Sequence, residues 1–99
     1  MSVKEYSEYT HYENGCNYYV ITIALPLRMM PRNGLGTSLA FHTEKEKDIE
    51  IYEVGNVSFS NTDEFLVLYK KVGSSRVYAR PVDMFFEHVD GKTKRFKEV

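Results

Sequence analysis

Residues 64–81 read EFLVLYKKVGSSRVYARP and carry the strongest strand signal in the chain. Every position from Phe65 to Tyr69 is apolar or aromatic, which predicts a strand with apolar side chains on both faces. Gly73-Ser74-Ser75 predicts a hairpin turn, and Arg76–Arg80 is the expected returning strand. Pro81 has no N–H group to continue the ladder. The residues after it suit a short helical turn, because proline is favoured at a first helical position.

Segments with similar patterns extend this hairpin in both directions. The predicted strands are, in chain order, Asn17–Leu25, Thr37–Thr43, Asp48–Val54, Glu64–Lys71, Arg76–Arg80, Glu87–Val89 and Arg95–Val99. Turns are predicted at Asn14-Gly15, in the charged run Glu44–Lys47 and at Asp90-Gly91. The alternation of apolar residues slips at Tyr52, which predicts a bulge or a strand end.

The remaining segments are predicted to lack regular structure. Residues 1–12 are expected to form an extended arm, residues 26–36 a loop and residues 55–63 a turn-rich connection. Short strands joined by tight turns are typical of a small barrel. We therefore expect the 99 residues to form a single, mainly β domain, built as a small antiparallel β-barrel with a helical turn after Pro81.

The composition indicates a recognition surface and a reducing compartment. Eight Tyr and six Phe are present, and large aromatic side chains are common at interfaces. The one cysteine, Cys16, excludes an intramolecular disulfide. No apolar run approaches the roughly 20 residues of a membrane span, and residues 1–12 lack the pattern of a signal peptide. A cytoplasmic protein with no membrane partner is expected.

The charge is distributed unevenly along the chain. Residues 1–68 carry five basic and ten acidic residues, whereas residues 69–99 carry eight basic and four acidic ones. A basic C-terminal third can attract phosphates, although it can equally be a solvated surface. The pI of about 6.3 is low for a dedicated nucleic-acid binder. A compact site for a nucleotide-sized anion fits this balance better than a long DNA track.

One run in the second half fixes several residue types at set spacing. It reads Tyr78-Ala79-Arg80-Pro81-Val82-Asp83-Met84-Phe85-Phe86-Glu87-His88-Val89, followed by Gly91 and by Arg95-Phe96. Over Leu66–Phe96 the chain resembles a small bacterial and phage family catalogued as domain of unknown function 1653, and His11–Ala24 is a weaker echo of the family's start. Between these parts, Pro26–Phe59 is longer than in the family's compact form. The resemblance implies an SH3-like β-barrel and no established biochemical role.

The basic residues of this run are candidate anion ligands. An arginine guanidinium is a planar fork that matches a carboxylate or a phosphate, so Arg80 and Arg95, helped by Lys94, are expected to hold an anion. The alternative is that Arg80 pairs with Glu87 and braces the turn at Pro81. Both arrangements are compatible if the site lies at the edge of the barrel.

Aromatic residues next to these cations would stack against a ligand. Tyr78, Phe96 or Tyr69 is expected to take this role. The full set of candidate ligand-binding residues is Arg80, Arg95, Tyr78, Glu87, Lys94, Phe96, Tyr69 and His11.

The sequence contains no recognisable catalytic motif. It has no Walker-type glycine loop, no Gly-x-Gly-x-x-Gly after a strand and no Gly-x-Ser-x-Gly. His11, His42 and His88 lack the spacing of metal ligands. We therefore expect no enzyme, no catalytic residue, no metal and no cofactor.

Three functions remain open. The first is a non-catalytic binding module for a small anionic, nucleotide-like ligand; it would be able to form homo-oligomers and, in a phage, to sequester a host nucleotide signal. The second is a protein–protein interaction module, which would dock a host or phage partner through the aromatic surface and Met29-Met30, unless these methionines tuck onto the core. The third is nucleic-acid binding, which predicts an affinity that falls steeply with salt.

Overall fold

The computed structural model describes residues 8–11, 15–31, 35–86 and 96–98. Within these ranges the strands are β1 (Glu8–His11), β2 (Asn17–Ala24), β3 (Leu35–His42), β4 (Lys47–Val54), β5 (Val57–Ser60), β6 (Leu66–Lys71), β7 (Val77–Pro81) and β8 (Phe96–Glu98). A turn of 3-10 helix covers Leu27–Met29, and one short helix, α1, covers Val82–Phe85. The predicted mainly β class is confirmed. No helix in the described part of the chain has the length and apolar character needed to cross a membrane.

The strands form one sheet in the order β5-β4-β3-β7-β6-β2-β1-β8. Neighbours pair antiparallel, except that β3 and β7 run parallel, with Phe41 opposite Tyr78. An isolated parallel bridge between Leu25 and Phe59 brings the end of β2 against β5. The sheet therefore curls back toward its own edge. This curvature is compatible with the expected barrel, whose SH3-like closure stays a prediction.

Strand β6 lies at the centre of the core, because its two faces belong to two separate hydrophobic clusters. Leu66 and Leu68 pack with small and β-branched residues of β2, β3, β4 and β7. Val67 and Tyr69 pack on the opposite face, where the buried partners are Tyr9, Val20, Val82, Phe85 and Phe96. The prediction that this strand carries apolar side chains on both faces is confirmed.

The helical turn predicted after Pro81 is also confirmed as α1. Pro81 ends β7 opposite Leu66, and the Val82 N–H donates to the carbonyl oxygen of Phe65 at 3.0 Å. The helix carries Phe85 into the core, where its ring stacks on Phe96 with 4.2 Å between the centroids. A single turn of helix therefore closes one end of the aromatic cluster.

The expectation of a turn-rich connection over residues 55–63 is wrong for its middle part, which forms β5 and pairs with β4. Ser58 and Ser60 look like turn residues in the sequence, yet both are buried. The Ser60 and Thr62 hydroxyl groups are hydrogen bonded to each other at 2.8 Å. The polar side chain of Ser60 is satisfied inside the fold, so the serine is tolerated in a strand.

Two further boundaries differ from the prediction. Residues 8–11 of the expected arm form β1, which pairs with β2 on one side and with β8 on the other. The irregularity expected at Tyr52 is a register shift in the facing strand, between Leu35 and Thr37. The predicted Asp90-Gly91 turn and the strand Glu87–Val89 lie outside the described residues.

Candidate ligand-binding surface

Four aromatic rings form a row across four neighbouring strands, and we call this row the aromatic platform. Its members, in spatial order, are Phe41 on β3, Tyr78 on β7, Tyr69 on β6 and Tyr18 on β2. Successive ring centroids are 6.3, 5.6 and 5.6 Å apart. Side chains of directly paired residues lie on the same face of a sheet, which aligns Tyr78 with Phe41 and with Tyr69. Tyr18 is paired with Lys71, two residues beyond Tyr69 on β6, and so reaches the Tyr69 ring diagonally on that face.

Arg80 lies on the same face of β7 as Tyr78, two residues farther along. Its Nε–H donates to the Tyr69 hydroxyl oxygen at 3.2 Å, and its guanidinium carbon lies 5.6 Å from the centre of the Phe96 ring. The side chain is only 12 % exposed. An arginine held in this way has a fixed orientation, and a guanidinium has further N–H groups that the Tyr69 contact does not use.

The Tyr69 hydroxyl is kept neutral by its surroundings. Burial raises the pKa of Tyr69 above its ordinary value of 10.0, and the charge and hydrogen bond of Arg80 oppose that rise. The hydroxyl therefore accepts from Arg80 without neutralising it. The positive charge of the guanidinium is preserved at the platform.

Glu44 supplies the carboxylate that faces Arg80, at 3.6 Å from Oε2 to the nearer guanidinium nitrogen. This distance is that of an ion pair and is too long for a hydrogen bond. The Glu44 side chain is partly exposed, so water screens the attraction. The Arg80 charge is consequently only loosely compensated.

His42 holds the turn that carries Glu44. Its Nδ1 accepts the backbone N–H groups of Glu44 and Lys45 at 3.2 and 3.1 Å. The ring proton must then be on Nε2, which donates to Glu64 Oε1 at 3.0 Å. Hydrogen bonds occupy both ring nitrogens of this buried histidine, so His42 positions the turn rather than acting as a base.

Arg76 lies at the opposite end of Tyr78 from Arg80. Its guanidinium carbon is 4.5 Å from the centroid of Phe41 and 5.6 Å from that of Tyr78. The side chain is exposed, and the two aromatic faces hold it by cation–π attraction. Tyr78 therefore has one guanidinium near each end of its strand segment.

Two further charges border the platform. Lys71 is paired with Tyr18 in the β2–β6 register and is exposed. Asp48 is paired with Phe41 on the β4 side and is also exposed. The platform is thus basic toward the β6–β7 turn and acidic beyond Phe41, so the β7 side is the more favourable one for an anion.

The structure gives the predicted aromatic residues unequal roles. Tyr69 is 2 % exposed and Phe96 1 % exposed, so neither ring can stack on a ligand as the sequence analysis expected. His11 is also buried, with its ring 4.8 Å from that of Phe96. Tyr78 is half-buried, with Tyr69 stacked on its ring at 25° and the Arg76 guanidinium carbon 5.6 Å from its centroid. Of the expected stacking residues, Tyr78 is the one that fits.

Three predicted site residues, Glu87, Lys94 and Arg95, lie outside the described residues. Their contribution to the surface stays a prediction. The alternative pairing of Arg80 with Glu87 therefore also stays open, and the described carboxylate near Arg80 is Glu44.

Sequence reasoning missed Phe41 and Glu44 as parts of the site. Both reach it through the parallel pairing of β3 with β7, which joins segments about forty residues apart in sequence. No local pattern encodes that contact. Arg76 was visible in the basic and aromatic run of the sequence, but only its cation–π contacts distinguish it from a solvated surface arginine.

A surface cavity of about 240 Å³ lies apart from the platform, between β6 and α1. Asp63, Glu64 and Asp83 line it together with Phe65, Pro81 and Val82. Three carboxylates disfavour an anion there. Within the described ranges, no group of three or more His, Cys, Asp or Glu side chains is arranged to hold a metal ion.

Comparison with known proteins gives one match. The model of a family described as protein of unknown function, DUF1653, matches residues 36–98, which is more than half of the chain. The match begins in β3 and ends in β8, so it includes the part of Pro26–Phe59 from residue 36 onward. It also contains Phe41, Glu44, Arg76, Tyr78 and Arg80. No curated protein and no solved structure matches the chain.

Proposed function

We propose that this chain, which belongs to the DUF1653 family, is a non-catalytic binding module for a small anionic, nucleotide-like ligand. The function of the family is unknown, so the proposal is argued from the chain's own surface. Tyr78 stacks on the aromatic base of the ligand. Arg80 binds a phosphate or carboxylate group beside it. The module supplies binding and orientation and carries out no reaction.

The observation that carries this proposal is a half-buried tyrosine next to an oriented, loosely compensated guanidinium. Stacking on an aromatic side chain contributes about 1–3 kcal/mol per base and tolerates any base, since every base has a π-face. Arginine recognises phosphate through two parallel hydrogen bonds. Tyr78 and Arg80, adjacent on one face of β7, offer both interactions within the span of one nucleotide.

The first test is a thermal-shift panel of adenosine 5′-monophosphate and of cyclic and ADP-ribose-type nucleotides. The proposal predicts a rise in melting temperature with at least one of them, because a ligand that binds only the folded state stabilises it. If no nucleotide in the panel raises the melting temperature, the proposal is wrong.

The second test locates the site with two conservative variants. Arg80→Lys keeps the charge opposite Glu44 and loses the planar fork, and we expect it to weaken nucleotide binding about tenfold. Tyr78→Leu keeps apolar bulk and removes the π-face, with a similar expected loss of about tenfold. Isothermal titration calorimetry measures both affinities.

Arg28→Lys is the matched control for these variants. Arg28 is exposed and forms an ion pair with Asp63, which is not a residue of the platform. Its substitution should leave nucleotide affinity as in the wild type. Equal losses for Arg28→Lys and Arg80→Lys would indicate a general effect of exchanging arginine for lysine and contradict a site at β7.

A second function is supported by a separate surface. Leu27 and Met29 are 41 % and 47 % exposed on the 3-10 turn, so the expectation that the methionines tuck onto the core is wrong for Met29. Exposed methionine and leucine are common at adaptable protein contacts. A protein–protein interaction through this turn, with another protein or a second copy of the chain, predicts binding that Met29→Glu abolishes and Arg80→Lys leaves intact.

A further inference from the structure

Arg76 is an exposed cation that contacts two aromatic rings and forms no ion pair within the described ranges. The rings of Phe41 and Tyr78 hold its guanidinium, yet no carboxylate of the described residues forms an ion pair with it. By contrast, Arg28 forms an ion pair with Asp63, and Arg80 forms one with Glu44. A cation that is ordered by aromatic rings and open to solvent is already oriented for an incoming anion.

The spacing of Arg76 and Arg80 matches a ligand with two anionic groups. The two residues are four apart, so at about 3.3 Å per residue their Cα atoms are separated by roughly 13 Å along the strand. Tyr78 lies midway between them. Because arginine side chains can lean toward each other, the two guanidinium groups can contact phosphates on either side of one stacked nucleoside.

Lys71 adds to the Arg76 end of this surface. It is the last residue of β6, and the β6–β7 turn that follows leads to Arg76. Strand alternation places Lys71 on the face of Tyr69 and Tyr18. Two exposed cations therefore flank the turn, whereas among the described residues Arg80 forms its ion pair with Glu44 at the other end.

We propose that the aromatic platform selects a nucleoside that carries phosphate groups on both its 5′ and its 3′ sides, with the base on Tyr78, one phosphate at Arg80 and the other at Arg76. This inference rests on the proposed function, since it names the ligand class of the same surface. A nucleotide with one phosphate reaches only one end. Phosphate groups on both sides of one nucleoside occur in free bisphosphates, in dinucleotides and in single-stranded nucleic acid.

The test compares adenosine 5′-monophosphate with adenosine 3′,5′-bisphosphate by isothermal titration calorimetry. One added charge-assisted contact to a phosphate predicts that the bisphosphate binds about tenfold more tightly to the wild type. Arg76→Gln should reduce this ratio to about one, because only the bisphosphate engages both ends at once. Arg28→Gln, which removes the same charge elsewhere, should keep the ratio of the wild type.

The outcomes separate this inference from the proposed function. If neither nucleotide binds, the proposed function and this inference both fall. If both bind equally to the wild type, or if Arg76→Gln keeps the tenfold ratio, the two-phosphate selection is wrong while nucleotide binding stands.

A third probe, a single-stranded oligonucleotide of adenosines, distinguishes the sources of the ligand. Binding that is tighter than that of the bisphosphate and falls steeply with salt supports a nucleic-acid strand as the source. Binding no tighter than that of the bisphosphate supports a free nucleotide. In either case, two-phosphate recognition is supported only if Arg76→Gln weakens binding of the oligonucleotide and of the bisphosphate.

Discussion

Tyr69 and Arg80 stabilise each other by a neutral-to-charged hydrogen bond at the inner edge of the platform. The hydroxyl oxygen accepts from Nε–H at 3.2 Å, so it orients the guanidinium without removing its charge. A carboxylate at position 69 would pair with Arg80 fully and consume the anion site. Tyrosine at position 69 can therefore be buried beside Arg80 and still leave the arginine charge available to the proposed ligand.

This pair predicts a specific loss of stability in alkali. The folded pKa of Tyr69 lies above the unfolded value of 10.0, so the unfolded chain ionises first and the wild type loses stability as pH rises from about 10 through the folded pKa. Tyr69→Phe lacks this loss. Below pH 10 the wild type should be more stable by about 1.5 kcal/mol, the lower end of the contribution of a hydrogen bond to a charged group.

Urea denaturation at several pH values between about 8 and 11 measures the difference in free energy of unfolding between wild type and Tyr69→Phe. We expect that difference to shrink above pH 10. Tyr52→Phe, a tyrosine outside the platform, controls for the loss of a hydroxyl group. A wild-type advantage that stays constant or grows with pH would show that Tyr69 is not held in its neutral form.

The turn between β3 and β4 is the element that brings a competing carboxylate to the site. Glu44 lies in the Thr43–Glu46 turn, which His42 fixes through two backbone hydrogen bonds. Its carboxylate contacts the guanidinium that the ligand would use. Glu44 therefore stands where the anionic group of a ligand is expected.

Glu44→Gln should increase nucleotide affinity by about twofold to fivefold, because an exposed ion pair of roughly 0.2–1 kcal/mol no longer competes with the ligand. Glu53→Gln makes the same charge change at the far end of β4 and is the control. Calorimetric titration of both variants with the same nucleotide gives the comparison. Weaker binding by Glu44→Gln would mean that Glu44 helps to orient Arg80 rather than competing for its anion.

Local sequence signals predicted some elements well. Alternation across Phe65–Tyr69, the Gly73-Ser74-Ser75 turn and Pro81 define β6, the hairpin and α1, because each depends on neighbouring residues alone. β5 was missed since its serines resemble turn residues and its place in the sheet depends on tertiary contacts, such as the hydrogen bond from the Ser60 backbone N–H to the Leu25 carbonyl oxygen at 2.9 Å.

The site shows the same division between local and tertiary information. Arg80 and Tyr78 stand in the quoted run of sequence and lie on one face of the same strand. The partners that decide their chemistry come from elsewhere: Phe41 and Glu44 arrive through the parallel β3–β7 pairing. Whether a residue is exposed enough to stack, as Tyr78 is and Phe96 is not, follows from how β1, β8 and α1 cover the sheet.

At the scale of the whole molecule, the Phe41 and Tyr78 end of the platform is the uncovered margin of the aromatic cluster. Strands β1 and β8 and helix α1 bury Tyr69, Phe85 and Phe96, whereas Phe41 and Tyr78 at the β3–β7 side are only half-buried. A continuous aromatic layer thus changes from core to surface along one sheet face. The buried rings of this layer, Tyr69 among them, hold the half-buried ring of Tyr78 in its orientation.

An NMR titration of the ¹⁵N-labelled chain with adenosine 5′-monophosphate tests most directly whether this margin is the binding surface. A binding surface at this margin predicts that the largest changes in amide chemical shift occur at Arg76 and Val77–Arg80 of β7, at Phe41 and in the turn that carries Glu44. Changes confined to the acidic cavity at Asp63, Glu64 and Asp83, or no change at any nucleotide concentration, would contradict it.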